Sequence, residues 1–490
     1  AMGTDIHTVQ FSTADYQRFS QRLEANLQRL EALLGVPGFG EGPASLGAEL
    51  ELYVVDGAGR PAHLNEELQA AAGDEQLTLE LNRYNLEYNL SPVAVADSPF
   101  LSLEEEICRK LGTLRQLAAQ RAAQVVPIGI LPTLQRDDFG PACMTPKRRF
   151  AALVEQLIAR RGRRFTININ GQHPLQLDMD DITLEGANTS FQVHYRVAPE
   201  RFADVFNAIQ AVTPLALAVA GNSPTLFGHS LWQETRIPLF KQSIDTRLPD
   251  RYAWKEPARV NFGQGWVRRD ALELFAEAVR LYQPLLPVCA EEADDPASQE
   301  LRELQLHQST VWLWNRAVYD AAAGGHLRIE MRTLPAGPTA ADMVANAAFL
   351  IGMAEGLQPG LQRWLPALPF SIAEHNFYRA AQEGLAARLV WPRPQQTVCE
   401  EQSAASLVAD MLPVARRGLD AIGIAGTESD RYLGIIERRL ATGQTGARWQ
   451  LAHLGQPESR TRPDLTQLSV MLEAYRLRSE TNEPVAEWPQ

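Results

Sequence analysis

GAELELYVVD, residues Gly47 to Asp56, is the stretch from which the rest of the chain can be read. Its alternation sets Ala48, Leu50, Leu52 and Val54 on one face of a β-strand and Glu49, Glu51 and Tyr53 on the other. Side chains two apart on a strand lie about 7 Å from each other, so two carboxylates held this way repel unless water, arginine or a cation sits between them. Taken alone, a half-buried strand with a solvated acidic face accounts for the pattern. Three later stretches, however, carry the same alternation with complementary chemistry.

In LTLELNRYNLEYNL (Leu77–Leu90) the parity of the polar residues changes after Arg83, so an unbroken strand would send Glu80 and Glu87 to opposite faces. A bulge or short break near Tyr84-Asn85 is expected to return both to one face. SFQVHYRV (Ser190–Val197) sets Gln192, His194 and Arg196 opposite Phe191, Val193, Tyr195 and Val197. In HLRIEMRTL (His326–Leu334), His326, Arg328, Glu330 and Arg332 oppose Leu327, Ile329 and Met331. A histidine in a strand is more often structural than a ligand, and an Arg-Glu-Arg row can neutralise itself on a surface. Four such strands together would gather Glu49, Glu51, Glu80, Glu87, His194, Glu330 and Arg332 on one face. Five converging carboxylates need cations. Hard divalent ions with oxygen ligands, Mg²⁺ above all, suit that cluster, and the arginines suit a phosphate or carboxylate ligand. No Walker loop and no GxGxxG after a strand is present, which leaves a nucleotide to be held through metals on a sheet.

The remaining chain is read as the frame for those strands. Thr13 opens an amphipathic helix with Tyr16, Phe19, Leu23, Leu27, Leu30 and Leu34 inward, stopped by Gly35. Ser102 and Glu105 suggest a capping box for a helix running to about Ala123, and Val125–Leu131 a short buried strand. Lys147–Arg161 reads as a helix with a solvated basic face, Phe165–Asn170 as a strand, and Gln172–Gly186 as polar surface, its Asp178, Asp180 and Asp181 lacking EF-hand spacing. A helix is expected from Pro199 to about Ala220, then an ordered loop whose Arg236, Lys241 and Arg247 supply cations. Residues 270–325 look helical around an acidic stretch, Glu291–Glu300, and Thr339–Leu454 like four or five helices. Residues 12–455 are read as one domain and 456–490 as a polar, partly ordered tail.

Composition sets the outer limits. The chain has 490 residues, 45% hydrophobic and 21% charged, with a net charge of −13 that argues against a nucleic-acid surface. Its longest apolar run falls short of the roughly 18 residues of a membrane helix, and the N-terminus lacks a signal-peptide core. Cys108, Cys143, Cys289 and Cys399 are too scattered for a zinc or disulfide framework. A soluble cytoplasmic protein is expected.

GAELELYVVD, ELNRYNLEYNLSP, FQVHYR, GNSP and HLRIEMRTL, in this order, resemble the landmarks of the glutamate–cysteine ligase family, specifically its bacterial carboxylate–amine ligase branch. IAEHNFYRAAQEGLAARLV (Ile372–Val390) and GQTGARWQ (Gly443–Gln450) are similar to that branch's later motifs, so the resemblance spans about residues 40–455. It implies an α+β fold, a cup-shaped, mainly antiparallel sheet flanked by helices, like the glutamine synthetase catalytic domain. It implies ATP-dependent amide formation through an acyl phosphate, with Mg²⁺ or Mn²⁺. Glu49, Glu51, Glu80, Glu87, His194 and Glu330 match its metal ligands. Arg332 matches a phosphate-contacting arginine and Arg236 a carboxylate-binding one, while Asn222 and Lys241 join Arg332 at the nucleotide. The implied partners are a small carboxylate, L-glutamate first, and an amine such as cysteine, with no nucleic acid and no membrane; a homo-oligomer is left open. A metal-dependent phosphohydrolase and a non-catalytic binding protein are the competing readings.

Overall fold

Strand β1 (Ser45–Asp56) forms where the alternation places it, and four of its neighbours pair directly with it. The structure, a computed structural model, describes residues 6–248, 256–291, 300–393 and 398–490. Helix α1 (Thr13–Leu34) precedes β1 and is capped by Ser12 and Asp15 in a reciprocal box, burying Phe19, Leu23, Leu27, Leu30 and Leu33. After α2 (Asn65–Ala72) come β2 (Leu77–Leu79), β3 (Asn85–Asn89), β4 (Val93–Ala94), α3 (Pro99–Ala119) and β5 (Ala123–Val126). Helix α4 (Arg148–Arg161) leads to a separate hairpin, β6 (Phe165–Ile169) and β7 (Leu175–Met179), and then to β8 (Phe191–Arg196). The middle of the chain holds α5 (Pro199–Ala220), the short hairpin β9 (Thr225–Leu226) and β10 (His229–Ser230), α6 (Arg236–Ser243), β11 (Val260–Asn261), α7 (Leu272–Leu281) and α8 (Arg302–Gln308). Strands β12 (Trp312–Leu313), β13 (Asn315–Asp320) and β14 (His326–Met331) follow.

The central sheet runs β13-β14-β8-β1-β3-β2, with β4 and β5 added at opposite ends of β1, and every pairing in it is antiparallel. Its apolar face (Leu50, Leu52, Phe191, Val193, Ile329 and Met331 among others) is buried and packs against α3 and α5. Helix α5 is long and apolar enough to cross a membrane, but almost all of it is enclosed by the protein itself. Against it pack α9 (Ala340–Gly356), then, after the single turn α10 (Leu361–Trp364), helices α11 (Phe370–Glu383) and α12 (Ala404–Ala421), the last two joined through the hairpin β15 (Arg388–Pro392) and β16 (Cys399–Ser403). Helices α13 (Gly426–Thr442), α14 (Gly446–His453) and α15 (Leu465–Glu480) close the chain. The fold is α+β, an antiparallel sheet flanked by helices, as expected.

Several local expectations are corrected. The parity change after Arg83 is a full reversal and not a bulge: β2 and β3 form a hairpin with Thr78 opposite Glu87. Helix α3 starts at Pro99 without the Ser102–Glu105 box, because the Glu428 carboxylate of α13 accepts from Phe100 N at 2.7 Å and Leu101 N at 3.0 Å. The expected strand Val125–Leu131 is strand only to Val126. The polar stretch after Gln172 contains β7, whose Leu175 and Leu177 are buried. The stretch read as helical to residue 325 holds β13, which pairs with β14. Most of the acidic stretch 291–300 lies outside the described residues. Residues 456–490 hold α15, whose Leu468, Met471, Leu472 and Tyr475 are buried with Trp488 in a second apolar core.

Candidate active site

The polar face of the central sheet floors a cavity of about 770 Å³. Register explains who meets whom. Glu51 lies directly opposite Glu87, and Glu330 directly opposite His194, while the hairpin brings Glu80 beside Glu87. Glu49, Glu51, Glu80, Glu87, Arg236 and Arg332 all line the cavity. His194 and Glu330 are set back from the lining beside Glu49, and the ligand atoms of these three residues lie within 4.8 Å of one another. His194 Nε2 is 3.5 Å from Glu49 Oε1, and among the described residues neither ring nitrogen makes a hydrogen bond. A half-buried imidazole whose ring nitrogens make no hydrogen bond, next to two carboxylates, fits a divalent cation. The six expected ligands thus divide: one tight cluster, with Glu51, Glu80 and Glu87 facing the same cavity beside it.

Glu330 is clamped. Arg332 Nη1 donates to its Oε1 at 2.6 Å and Arg316 Nε to its Oε2 at 2.9 Å. Burial alone would raise its pKa, but Arg316 and Arg332 bring it down to about 2. Arg332 also reaches Gln192 Oε1 at 3.0 Å. The opposite end of the cup is electrostatically starved. Burial, then the charge of Glu87, pushes Glu51 up to about 8, although the Ser190 hydroxyl and Gln192 Nε2 donate to it. Glu80 lies well above the carboxylate range through burial and the charges of Glu87, Glu51 and Glu185. Burial lifts Glu185 to about 7. Acids crowded so that they cannot all ionise together suit a site that takes up positive charge.

Arg236, the first residue of α6, is 2% exposed, donates to the Thr333 carbonyl and lies 3.4 Å from Glu234. The structure does not bring Asn222 or Lys241 into the lining. Asn222 is fully buried, donating to the Ala336 carbonyl and paired at 2.9 Å with both Tyr475 Oη and Gln450 Nε2, so its amide is a structural hub. Lys241 Nζ turns to Tyr378 Oη on α11 at 3.1 Å.

Residues not anticipated complete the wall. Lys147, Arg148 and Arg149 open α4 onto the cavity, so the basic face read as solvated is partly lining. Burial lowers the pKa of Arg149 while the charge of Glu80 opposes that. Trp312, Trp314 and Arg316 also line it; their alternation with Leu313, Asn315 and Ala317 was a strand signal in plain view. Glu185 comes from a 3₁₀ turn, Thr183–Ala187, which carries no periodic pattern.

No curated protein matches the chain. Among solved structures, it is similar to the glutamate–cysteine ligase of Francisella tularensis in complex with AMP (12% identity, 92% of this chain and 96% of that one, TM-score 0.49). A bifunctional glutathione synthetase of Pasteurella multocida is 10% identical over 95% of this chain and 55% of that one, with a TM-score of 0.46. The ligase PafA, in complex with the prokaryotic ubiquitin-like protein Pup, is 11% identical over 88% and 72%, with a TM-score of 0.37. The model of glutamate–cysteine ligase family 2 matches residues 45–469, which includes every strand of the sheet and the whole cavity floor. The chain belongs to glutamate–cysteine ligase family 2 and is an ATP-dependent carbon–nitrogen ligase.

Proposed function

We propose that this ligase activates the side-chain carboxylate of L-glutamate with ATP and transfers the acyl group to an amine, cysteine or another. The observation that carries the reading is the meeting of Glu49, His194 and Glu330 within 4.8 Å, beside Arg332 and on the edge of a cavity that also holds Arg236. Glu49, His194 and Glu330 would hold one divalent cation, with Glu51, Glu80 and Glu87 as further oxygen donors. When bound, Mg²⁺ supplies charge neutralisation for the phosphates. Arg236 holds the donor carboxylate. Arg332, fixed by Glu330 and Gln192, stabilises the charge that develops on the transferred phosphoryl group. The carboxylate oxygen attacks the γ-phosphorus, ADP leaves, and the amine then displaces phosphate from the acyl carbon. No protein nucleophile is required. The four cysteines are free thiols, which suits the cytoplasm we assign to it.

The test needs no knowledge of the natural amine. With ATP, Mg²⁺, L-glutamate and hydroxylamine, the expected product is a glutamyl hydroxamate formed in step with ADP. ADP without hydroxamate would favour the phosphohydrolase reading. Hydroxamate from another acid only would keep the chemistry and reject glutamate. Exhaustive chelation should stop turnover, and Mg²⁺ or Mn²⁺ should restore it; full activity in EDTA would remove the metal from the scheme.

A further inference from the structure

We infer that Trp312, Trp314 and Phe240 form the acceptor subsite, and that it selects an amine whose body is an aromatic ring. The inference rests on the ligase reading and deepens it. All three rings line the cavity. Phe240 meets Trp314 edge-on at 5.7 Å between centroids and Trp312 at 6.3 Å, so the wall is preformed and rigid. Trp314 is 2% exposed and also packs against Phe377 at 5.8 Å between centroids.

Position separates the acceptor from the adenine of ATP. Phe240 lies one helical turn after Arg236 on α6, and such residues have Cβ atoms about 6 Å apart. Trp314 is two residues before Arg316, which pairs with Glu330, and its carbonyl accepts from Arg332 N at 2.8 Å. The rings therefore stand beside the groups that hold the donor acyl end. An attacking amine must come within bonding distance of that acyl carbon, whereas adenine is separated from the transferred phosphoryl by a ribose and two further phosphates. In the transfer, the free amine forms the C–N bond, the C–O bond to phosphate breaks with its electron pair on phosphate, and the proton lost from nitrogen leaves with phosphate.

The experiment pairs turnover with binding, using tyramine as probe and phenethylamine, cysteine and glycine as comparators. With ATP, Mg²⁺ and L-glutamate, kcat/KM for tyramine should exceed that for cysteine and glycine at least tenfold. In Trp312→Ala, the ratio of kcat/KM for tyramine to that for hydroxylamine should fall at least tenfold. Phenethylamine should share the advantage of tyramine over cysteine and glycine. Equal or better use of cysteine or glycine would overturn the subsite, as would a rise in the KM for ATP with an unchanged amine ratio in Trp312→Ala, which would mark the rings as the adenine wall. Tyramine should also quench tryptophan fluorescence saturably in the wild type, and by a smaller amplitude in Trp312→Phe. Quenching without hydroxamate from any acid would keep the subsite and reject the ligase reading; no quenching would overturn the subsite.

Discussion

Glu51 and Glu330 look equivalent as carboxylates on a shared sheet face, but their surroundings make them opposites. Glu330 is ionised and holds two buried guanidiniums, so Glu330→Gln leaves Arg316 and Arg332 underpaired and should cost about 3 kcal/mol of stability. Glu51, pushed up to about 8, keeps its proton at neutral pH, and Glu51→Gln replaces one neutral hydrogen-bonding group by another. Its unfolding free energy without metal should match wild type to within about 1 kcal/mol, while kcat falls at least about a hundredfold. A large thermal loss in Glu51→Gln, or its absence in Glu330→Gln, would reverse this electrostatic picture. Arg332→Lys should also fail to support turnover: Nη1 alone donates to both Glu330 and Gln192, and a point charge cannot add the second, parallel N–H that a guanidinium offers a phosphate. Retention of most activity in steady-state assays would return Arg332 to the role of a ladder residue.

Between elements, the clearest test is the docking of α8 on α7. His307 Nε2 donates to the Ala278 carbonyl at 2.7 Å, and burial, then the charges of Arg259 and Arg160, lower its pKa to about 4. The unfolded chain binds this proton near pH 6.5, the folded chain only near 4. Between those values the unfolded state holds more protons, so His307's contribution is intact above pH 6.5 and drains away as pH falls towards 4. Relative to His307→Gln, wild type should lose roughly 3 kcal/mol between pH 7 and pH 4, read as the difference in urea midpoints. Parallel midpoints at both pH values would show that the ring is solvated. Element type was read correctly in three stretches with an unbroken period of two: GAELELYVVD, FQVHYR and HLRIEM all became sheet strands with the predicted faces. LTLELNRYNLEYNL was not fully legible, because a parity change has the same signature for a bulge and for a reversal. The start of α3 was missed because its capping acceptor, Glu428, is 328 residues from Phe100 in the chain. Arg149 and Glu185 were hidden for a related reason: which side of a helix or turn meets a cavity is decided by tertiary packing.

For the molecule as a whole, the C-terminal residues decide more than their polar composition suggests. Tyr475 Oη donates to the Pro127 carbonyl at 2.6 Å and accepts from Asn222, joining α15, the segment after β5 and the loop after α5. Gly337, at φ +77°, threads between them where a Cβ would overlap the Pro127 carbonyl and the Tyr475 hydroxyl. Tyr475→Phe should cost about 1–3 kcal/mol by orphaning two buried groups. Ending the chain after residue 460 should lower the melting point far more, since it strips Met471, Leu472, Tyr475 and Trp488 from their core. Wild-type melting of the shortened chain would show that α15 is dispensable.

The opposition of Glu51 to Glu87, reinforced by Glu80 and Glu185, reaches beyond chemistry. A cup whose acids must hold protons when it is empty is stabilised by mass action by whatever cation or nucleotide it binds, by RT ln(1 + [L]/Kd) for each. Deprived of them, the same chain spends more time open to proteases. Its abundance in a cell is then expected to follow the supply of what it binds.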